Sequence, residues 1–148
     1  MNIEKIIIRD AILSDSPALA IIESQLSYPM EEALVRERMK ELIEAGDRIL
    51  VAEYDSEVIG MIVLHRTYFL HRPPDGRVST LGVLDGYRNF GVGKMLLEEA
   101  ERIFRELGCT RVEVTSGGQR EDAHRFYIRE GYTEYPKRFI KKLVEGAR

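Results

Sequence analysis

The chain has 148 residues, 44% hydrophobic and 32% charged, with a formal net charge of -3 and one cysteine, Cys109. At that length one α/β domain over residues 1–148 buries roughly 70% of its unfolded surface and two full domains do not fit, while the slight acidity removes the bulk attraction that nucleic-acid phosphates reward. A lone thiol excludes an internal disulfide framework and a Cys-x-x-Cys site; no apolar run reaches the about 18–20 residues of a membrane span, and the first five residues lack a cleavable signal's zones, so a cytoplasmic protein with no membrane or nucleic-acid partner is expected.

In chain order, the β-branched run Ile6-Ile7-Ile8 predicts a strand. Ser14-Asp15-Ser16-Pro17 then opens a helix with capping side chains and a first-turn proline. Leu19, Ile22 and Leu26 carry that helix to about Leu26, where Ser27-Tyr28-Pro29 breaks it, because the residue before proline is pushed out of the helical region. Val35, Met39, Leu42 and Ile43 mark one face of a second helix that stops at Gly46. From Arg48 the period changes. Residues 49–52 and 58–64 flank Asp55-Ser56-Glu57 and read as a hairpin. A loop is expected over residues 71–76, which contain Pro73-Pro74-Asp75-Gly76, then a third central strand at about 78–83. Leu96, Ala100, Ile103 and Leu107 predict the strongest helix, ended by Gly108. Residues 111–115 alternate as a strand, Ala123, Phe126 and Tyr127 mark a short helix, and a final extended segment is expected from about Tyr132 to Leu143.

Chemistry concentrates in Val83-Leu84-Asp85-Gly86-Tyr87-Arg88-Asn89-Phe90-Gly91-Val92-Gly93-Lys94, between a strand and the long helix. Glycines let backbone approach a ligand, and unpaired N–H groups at a helix start favour an anion. Arg88 and Lys94 add positive charge there, and arginine pairs with phosphate through two hydrogen bonds. A P-loop is excluded because Gly91 is followed by Val92 and Gly93, not Lys-Ser/Thr. A dinucleotide fingerprint is weak because Leu96 stands where a third glycine belongs. Arg88, Gly91 and Gly93 do satisfy Arg/Gln-x-x-Gly-x-Gly/Ala after a strand. A second segment, from Ala123 through Phe126 and Tyr127 to Gly131 and Tyr132, fits Ala-x-x-Phe-Tyr-x-x-x-Gly-Phe/Tyr.

On these two motifs in order, the chain resembles the GCN5-related N-acetyltransferases. The resemblance implies a mixed, mostly antiparallel sheet of six to seven strands flanked by about four helices in the order β-α-α-β-β-β-α-β-α-β. It also implies acetyl-CoA as cosubstrate, with pyrophosphate on Arg88, Asn89, Phe90, Gly91, Val92, Gly93 and Lys94 and the pantetheine arm on the backbone of Leu81, Gly82 and Val83. Tyr127 would protonate the leaving thiolate, as a phenol protonated at neutral pH is able to do, though the face it shares with Ala123 and Phe126 would equally serve core packing. Arg120 stands where many members carry an asparagine, to reach phosphate or to be solvated. The strand start Arg77-Val78-Ser79-Thr80 offers no glutamate base, so deprotonation of the amine is assigned to ordered water or to a distant acid such as Glu113.

Tyr28, Tyr68 and His71 either border the acceptor site or cover the core. His65, His71 and His124 lack metal-ligand spacing, no Ser-His-Asp order with a glycine elbow occurs, and Cys109 at a helix end reads as a buried small thiol, so no metal and no catalytic role for these four residues is expected. The expected reaction moves acetyl to a primary amine of a small molecule or peptide by direct attack, in a homodimer. The alternatives are a non-catalytic acyl-CoA sensor and a nucleotide-binding regulator.

Overall fold

Along residues 1–115, 121–135 and 138–146, which the computed structural model describes, run β1 (Ile7–Asp10), α1 (Ser16–Gln25), α2 (Glu32–Glu44), β2 (Arg48–Tyr54), β3 (Glu57–Thr67), β4 (Asp75–Val83), α3 (Val92–Glu106), β5 (Arg111–Val114) and α4 (Glu121–Arg129). Two compact units emerge, Met1–Thr115 and Ser116–Arg148. The first holds one sheet in the order β1-β2-β3-β4-β5, antiparallel except for the parallel β4–β5 pair. The class is the α/β arrangement expected, with five strands among the described residues where six to seven were expected. The described part of the segment from Tyr132 to Leu143 is not strand. Tyr135 and Phe139 there are 87% and 99% exposed, so their apolar side chains gain nothing from pairing.

β3 is apolar without alternation because both its faces are covered. On one side Met61 and Val63 join Ile49 and Val51 of β2 in a cluster with Leu19 and Ile22 of α1 and Met39 of α2. On the other, α3 closes on β3 and β4. A Cβ built on Gly60 would lie 3.1 Å from Leu96, and one on Gly76 would lie 2.3 Å from the Phe104 ring. That second contact explains why β4 starts at Asp75 and not at about 78. Pro-Pro-Asp-Gly is a turn signal locally, yet Gly76 is the residue that fits beneath Phe104, and Asp75, 1% exposed, is held by Arg72 at 2.9 Å with Arg111 at 3.5 Å. Packing overrides the local preference.

The hairpin turn falls at Asp55 and Ser56, whose φ values of 47° and 64° match the left-handed pair of a two-residue turn between twisted strands. α1 begins as expected, with Pro17 in its first turn. The Asp15 side chain does not cap it. Its carboxylate instead accepts from both Arg9 Nη groups, at 2.8 and 3.0 Å, and from the Ile12 N–H at 2.8 Å. This ties β1 to the start of α1.

Candidate active site

The site grows from an unequal pairing of β4. β3 pairs with it from Asp75 to Val83, whereas β5 pairs only from Asp75 to Val78. Residues 79–83 therefore have no second strand neighbour among the described residues, which leaves backbone N–H and C=O groups on that side for a ligand. Leu81, Gly82 and Val83 lie in this notch. Gly82 brings α1 close: a Cβ there would sit 2.7 Å from Ile22 Cγ2 and 2.9 Å from Leu26 Cδ1. Gln25 extends the contact by accepting from the Asp85 N–H at 2.8 Å.

Beyond Val83 the chain turns into α3 through backbone that favours glycine and asparagine. Gly86, Asn89 and Gly91 have φ of 91°, 67° and 86°, a region closed to most side chains. Gly91 caps α3 without a side-chain hydrogen bond, and the helical ladder begins with Met95 N–H to the Gly91 carbonyl. The N–H groups of Val92, Gly93 and Lys94 thus have no intrahelical acceptor and stand at the positive end of the helix dipole. The structure thus gathers the expected residues 88–94 at the end of β4 that the notch reaches, a donor set suited to a pyrophosphate. Arg88 is folded onto its own loop, donating from Nε to the Val83 carbonyl at 3.2 Å and pairing with Asp85 at 3.1 Å. Lys94 lies 3.8 Å from Glu98 and Phe90 is partly exposed. Tyr87 donates to Glu57 at 3.0 Å. That bond to a carboxylate holds the phenol above its usual range and pins the loop to the hairpin turn.

At the notch's other end lies a cluster that sequence spacing did not reveal. Val63 pairs with Thr80 but Leu64 pairs with Val78, so Ser79 is the extra residue of a bulge. Its hydroxyl is 2.6 Å from His65 Nε2, and His65 Nδ1 is 3.2 Å from Asp47 Oδ2. Beside them Arg77 is in register with His65 on β3 and Glu113 on β5. Its Nη2 reaches Thr115 Oγ1 at 3.4 Å, while its buried Nε has no hydrogen-bond partner among the described residues.

The remaining expected residues are dispersed. Tyr28 follows the end of α1 and is half exposed. Tyr68, under the Arg66 guanidinium at 4.9 Å, and His71, edge-on to Phe69 at 5.7 Å, precede β4 and so lie at the opposite end of that strand from the glycine segment. In the second unit, Tyr127 is half-buried on α4, edge-on to Tyr132 at 5.8 Å. His124 pairs there with Glu134 at 2.7 Å. Arg120 falls outside the described residues. Burial raises the Cys109 thiol pKa, which suits a packing residue and not a nucleophile. Among the described residues no group of three His, Cys, Asp or Glu side chains is placed to hold a metal, and no helix is long and apolar enough to cross a membrane.

Comparison with known proteins converges on one class. The family model described as "Acetyltransferase (GNAT) family" matches residues 13–132. An aminoalkylphosphonate N-acetyltransferase of Salmonella typhimurium is 38% identical over 103 residues, covering 69% of this chain and 67% of the relative. An uncharacterized N-acetyltransferase of Chlorobaculum tepidum is 27% identical over 137 residues, covering 93% and 81%. Among solved structures, an aminoglycoside N-acetyltransferase in complex with CoA shares the fold, with a TM-score of 0.82 at 17% identity over 94% of this chain and 95% of that one. The fold is one that acetyltransferases share. The chain belongs to the GNAT acetyltransferase family, and its activity is acetyl-CoA-dependent N-acetyl transfer.

Proposed function

We propose that this chain transfers acetyl from acetyl-CoA to the primary amine of a small acceptor that also carries an anionic group, of the aminoalkylphosphonate kind. The observation that carries the site assignment is the unpaired stretch of β4, residues 79–83, leading into a helix start whose first N–H groups lack acceptors. In this reading the backbone of Leu81, Gly82 and Val83 aligns the pantetheine arm, and the amides of residues 89–94 hold the pyrophosphate with Lys94 adding charge. Arg88 leaves Asp85 for phosphate or braces the loop beneath it. Acetyl-CoA supplies the activated thioester; the chain supplies orientation, an environment for the developing charge, and proton movement. Tyr127 gives a proton to the departing thiolate.

The acceptor class has two supports. The Salmonella relative is named for aminoalkylphosphonates. In this chain Arg77 presents a half-buried guanidinium beside the notch with one N–H unpartnered among the described residues, and a planar guanidinium suits a phosphonate or carboxylate. The test is thiol release from acetyl-CoA with aminoethylphosphonate, β-alanine, putrescine and an aminoglycoside. The reading expects kcat/KM for aminoethylphosphonate at least about tenfold above putrescine, a margin of about 1.4 kcal/mol, and expects Arg77→Ala to erase it. Preference for putrescine or the aminoglycoside would refute the acceptor class and leave the transferase intact.

A further inference from the structure

We propose that Ser79, His65 and Asp47 form the relay that takes the proton from the acceptor amine, an inference that rests on the transferase reading above. An amine attacks a thioester only in its neutral form, so the reaction needs a proton acceptor close to the acyl carbon. β4 supplies no carboxylate on the notch: Asp75 at its start is buried, held by Arg72 and paired with β5, and the residues leading into the notch are Arg77, Val78, Ser79 and Thr80. It supplies a hydroxyl instead, on the bulge residue Ser79, the first residue of the stretch that β5 leaves unpaired. Bulges re-aim a side chain where a regular strand cannot. From Ser79 to Val83 the strand advances about 13 Å at some 3.3 Å per residue, so a linear substrate anchored by its phosphates beyond Val83 runs along the notch toward Ser79.

The three side chains are ordered as a relay. Met61 and Val63 face α1 and α2, and strand alternation puts His65 on that same face. Ser79 Oγ stands 2.6 Å from His65 Nε2, and Asp47, just past the end of α2, stands 3.2 Å from Nδ1. A carboxylate beside Nδ1 favours the tautomer with its proton there, which leaves the Nε2 lone pair to accept from the serine hydroxyl. Function in such a constellation follows geometry and not sequence order.

The step balances without any further reagent. The substrate ammonium gives one proton to Ser79 Oγ as the serine hydroxyl proton passes to His65 Nε2, and the imidazolium charge rests against Asp47. The freed nitrogen lone pair forms the C–N bond, the C–S bond breaks with its electron pair going to sulfur, and Tyr127 protonates that sulfur. The second surplus proton on the new amide nitrogen restores Tyr127. His65, 24% exposed, returns its proton to water, so one proton is released per turnover.

The experiment follows thiol release with acetyl-CoA and aminoethylphosphonate for the wild type, His65→Gln, Ser79→Ala and His65→Gly. Calorimetric acetyl-CoA affinity and Tm are measured on each. The expected result is kcat down about a hundredfold for His65→Gln and about tenfold for Ser79→Ala. Acetyl-CoA Kd stays within about twofold, and added imidazole restores His65→Gly in a saturable way, a response that a structural role for His65 would not give. Unchanged kcat in His65→Gln overturns the relay, as does a loss with weakened acetyl-CoA binding and no imidazole rescue. An acetylated Ser79 peptide trapped from acetyl-CoA alone also overturns it by making Ser79 a nucleophile. A wild type that releases no thiol with any amine overturns the transferase reading itself, and that result appears before any variant is made.

Discussion

Replacing Gly82 with alanine tests whether α1 and β4 are closed on each other as tightly as the site requires. The new Cβ would lie 2.7 Å from Ile22 Cγ2 and 2.9 Å from Leu26 Cδ1. Leu26 can move a terminal methyl by rotation. Ile22 cannot, because it is 1% exposed and a β-branched side chain in a helix has essentially one χ1 well. Relief therefore requires α1 to lift off the sheet by several tenths of an ångström, an overpacking cost of roughly 1–3 kcal/mol, against which the stiffer unfolded chain returns about 0.4–1 kcal/mol. The net loss is about 1–2 kcal/mol, or a fall in Tm of roughly 3–8 °C for a chain of this size. Thermal unfolding of the single variants and of Gly82→Ala with Ile22→Ala reads the contact directly. Ile22→Ala alone costs about 2–5 kcal/mol through its cavity, but it removes the clashing Cγ2, so Gly82→Ala becomes neutral or stabilising in that background. An equal Tm drop in both backgrounds would refute the close approach of α1, and no drop in either would do the same.

Three further outcomes follow from the same geometry. Arg88→Ala loses one charge-assisted contact of about 1.5 kcal/mol at a half-exposed position, so acetyl-CoA Kd by calorimetry rises roughly tenfold while kcat at saturation changes less than about twofold; an unchanged Kd would remove Arg88 from the binding set. Tyr127→Phe lowers kcat about a hundredfold with acetyl-CoA affinity intact, as loss of a general acid should, and unchanged turnover would end that assignment. The hydrogen bonds from Arg9, reinforced by the Ile12 amide, hold the Asp15 carboxyl below its usual range. The folded state therefore favours the ionised form, and the stabilisation is full above the unfolded pKa of about 3.9 and fades as pH falls through the lower folded value. Asp15→Asn consequently costs roughly 1–3 kcal/mol at pH 7, and the Tm gap to the wild type narrows below about pH 4; a gap independent of pH would show that the carboxylate charge contributes nothing.

What the sequence made legible was local. The hairpin turn, the buried run of β3 and the glycine segment before α3 each follow from neighbours within a few residues, and the left-handed φ of Gly91 is what an isolated glycine before a helical period implies. The start of β4 was not legible, since Asp75 and Gly76 read as turn residues until Arg111 and Phe104 are brought against them by folding. The segment after Tyr132 shows the converse, since it reads as extended, yet its described residues form no strand and Tyr135 and Phe139 stay exposed. The cluster at Ser79 escaped for a third reason. His65 and Ser79 are fourteen residues apart, and the bulge shifts the register between them, so no spacing in the chain announces that they meet. A one-residue slip would send Ser79 to the other face.

In the proposed complex acetyl-CoA lies along residues 79–83 of β4 with its pyrophosphate at the start of α3. Amide hydrogen exchange with and without saturating acetyl-CoA reads the very backbone groups that the ligand would cover. New protection is expected at residues 79–83 and at Val92, Gly93 and Lys94, with β1 and α2 unchanged. Protection elsewhere, or none at these positions once calorimetry shows the ligand bound, would contradict it.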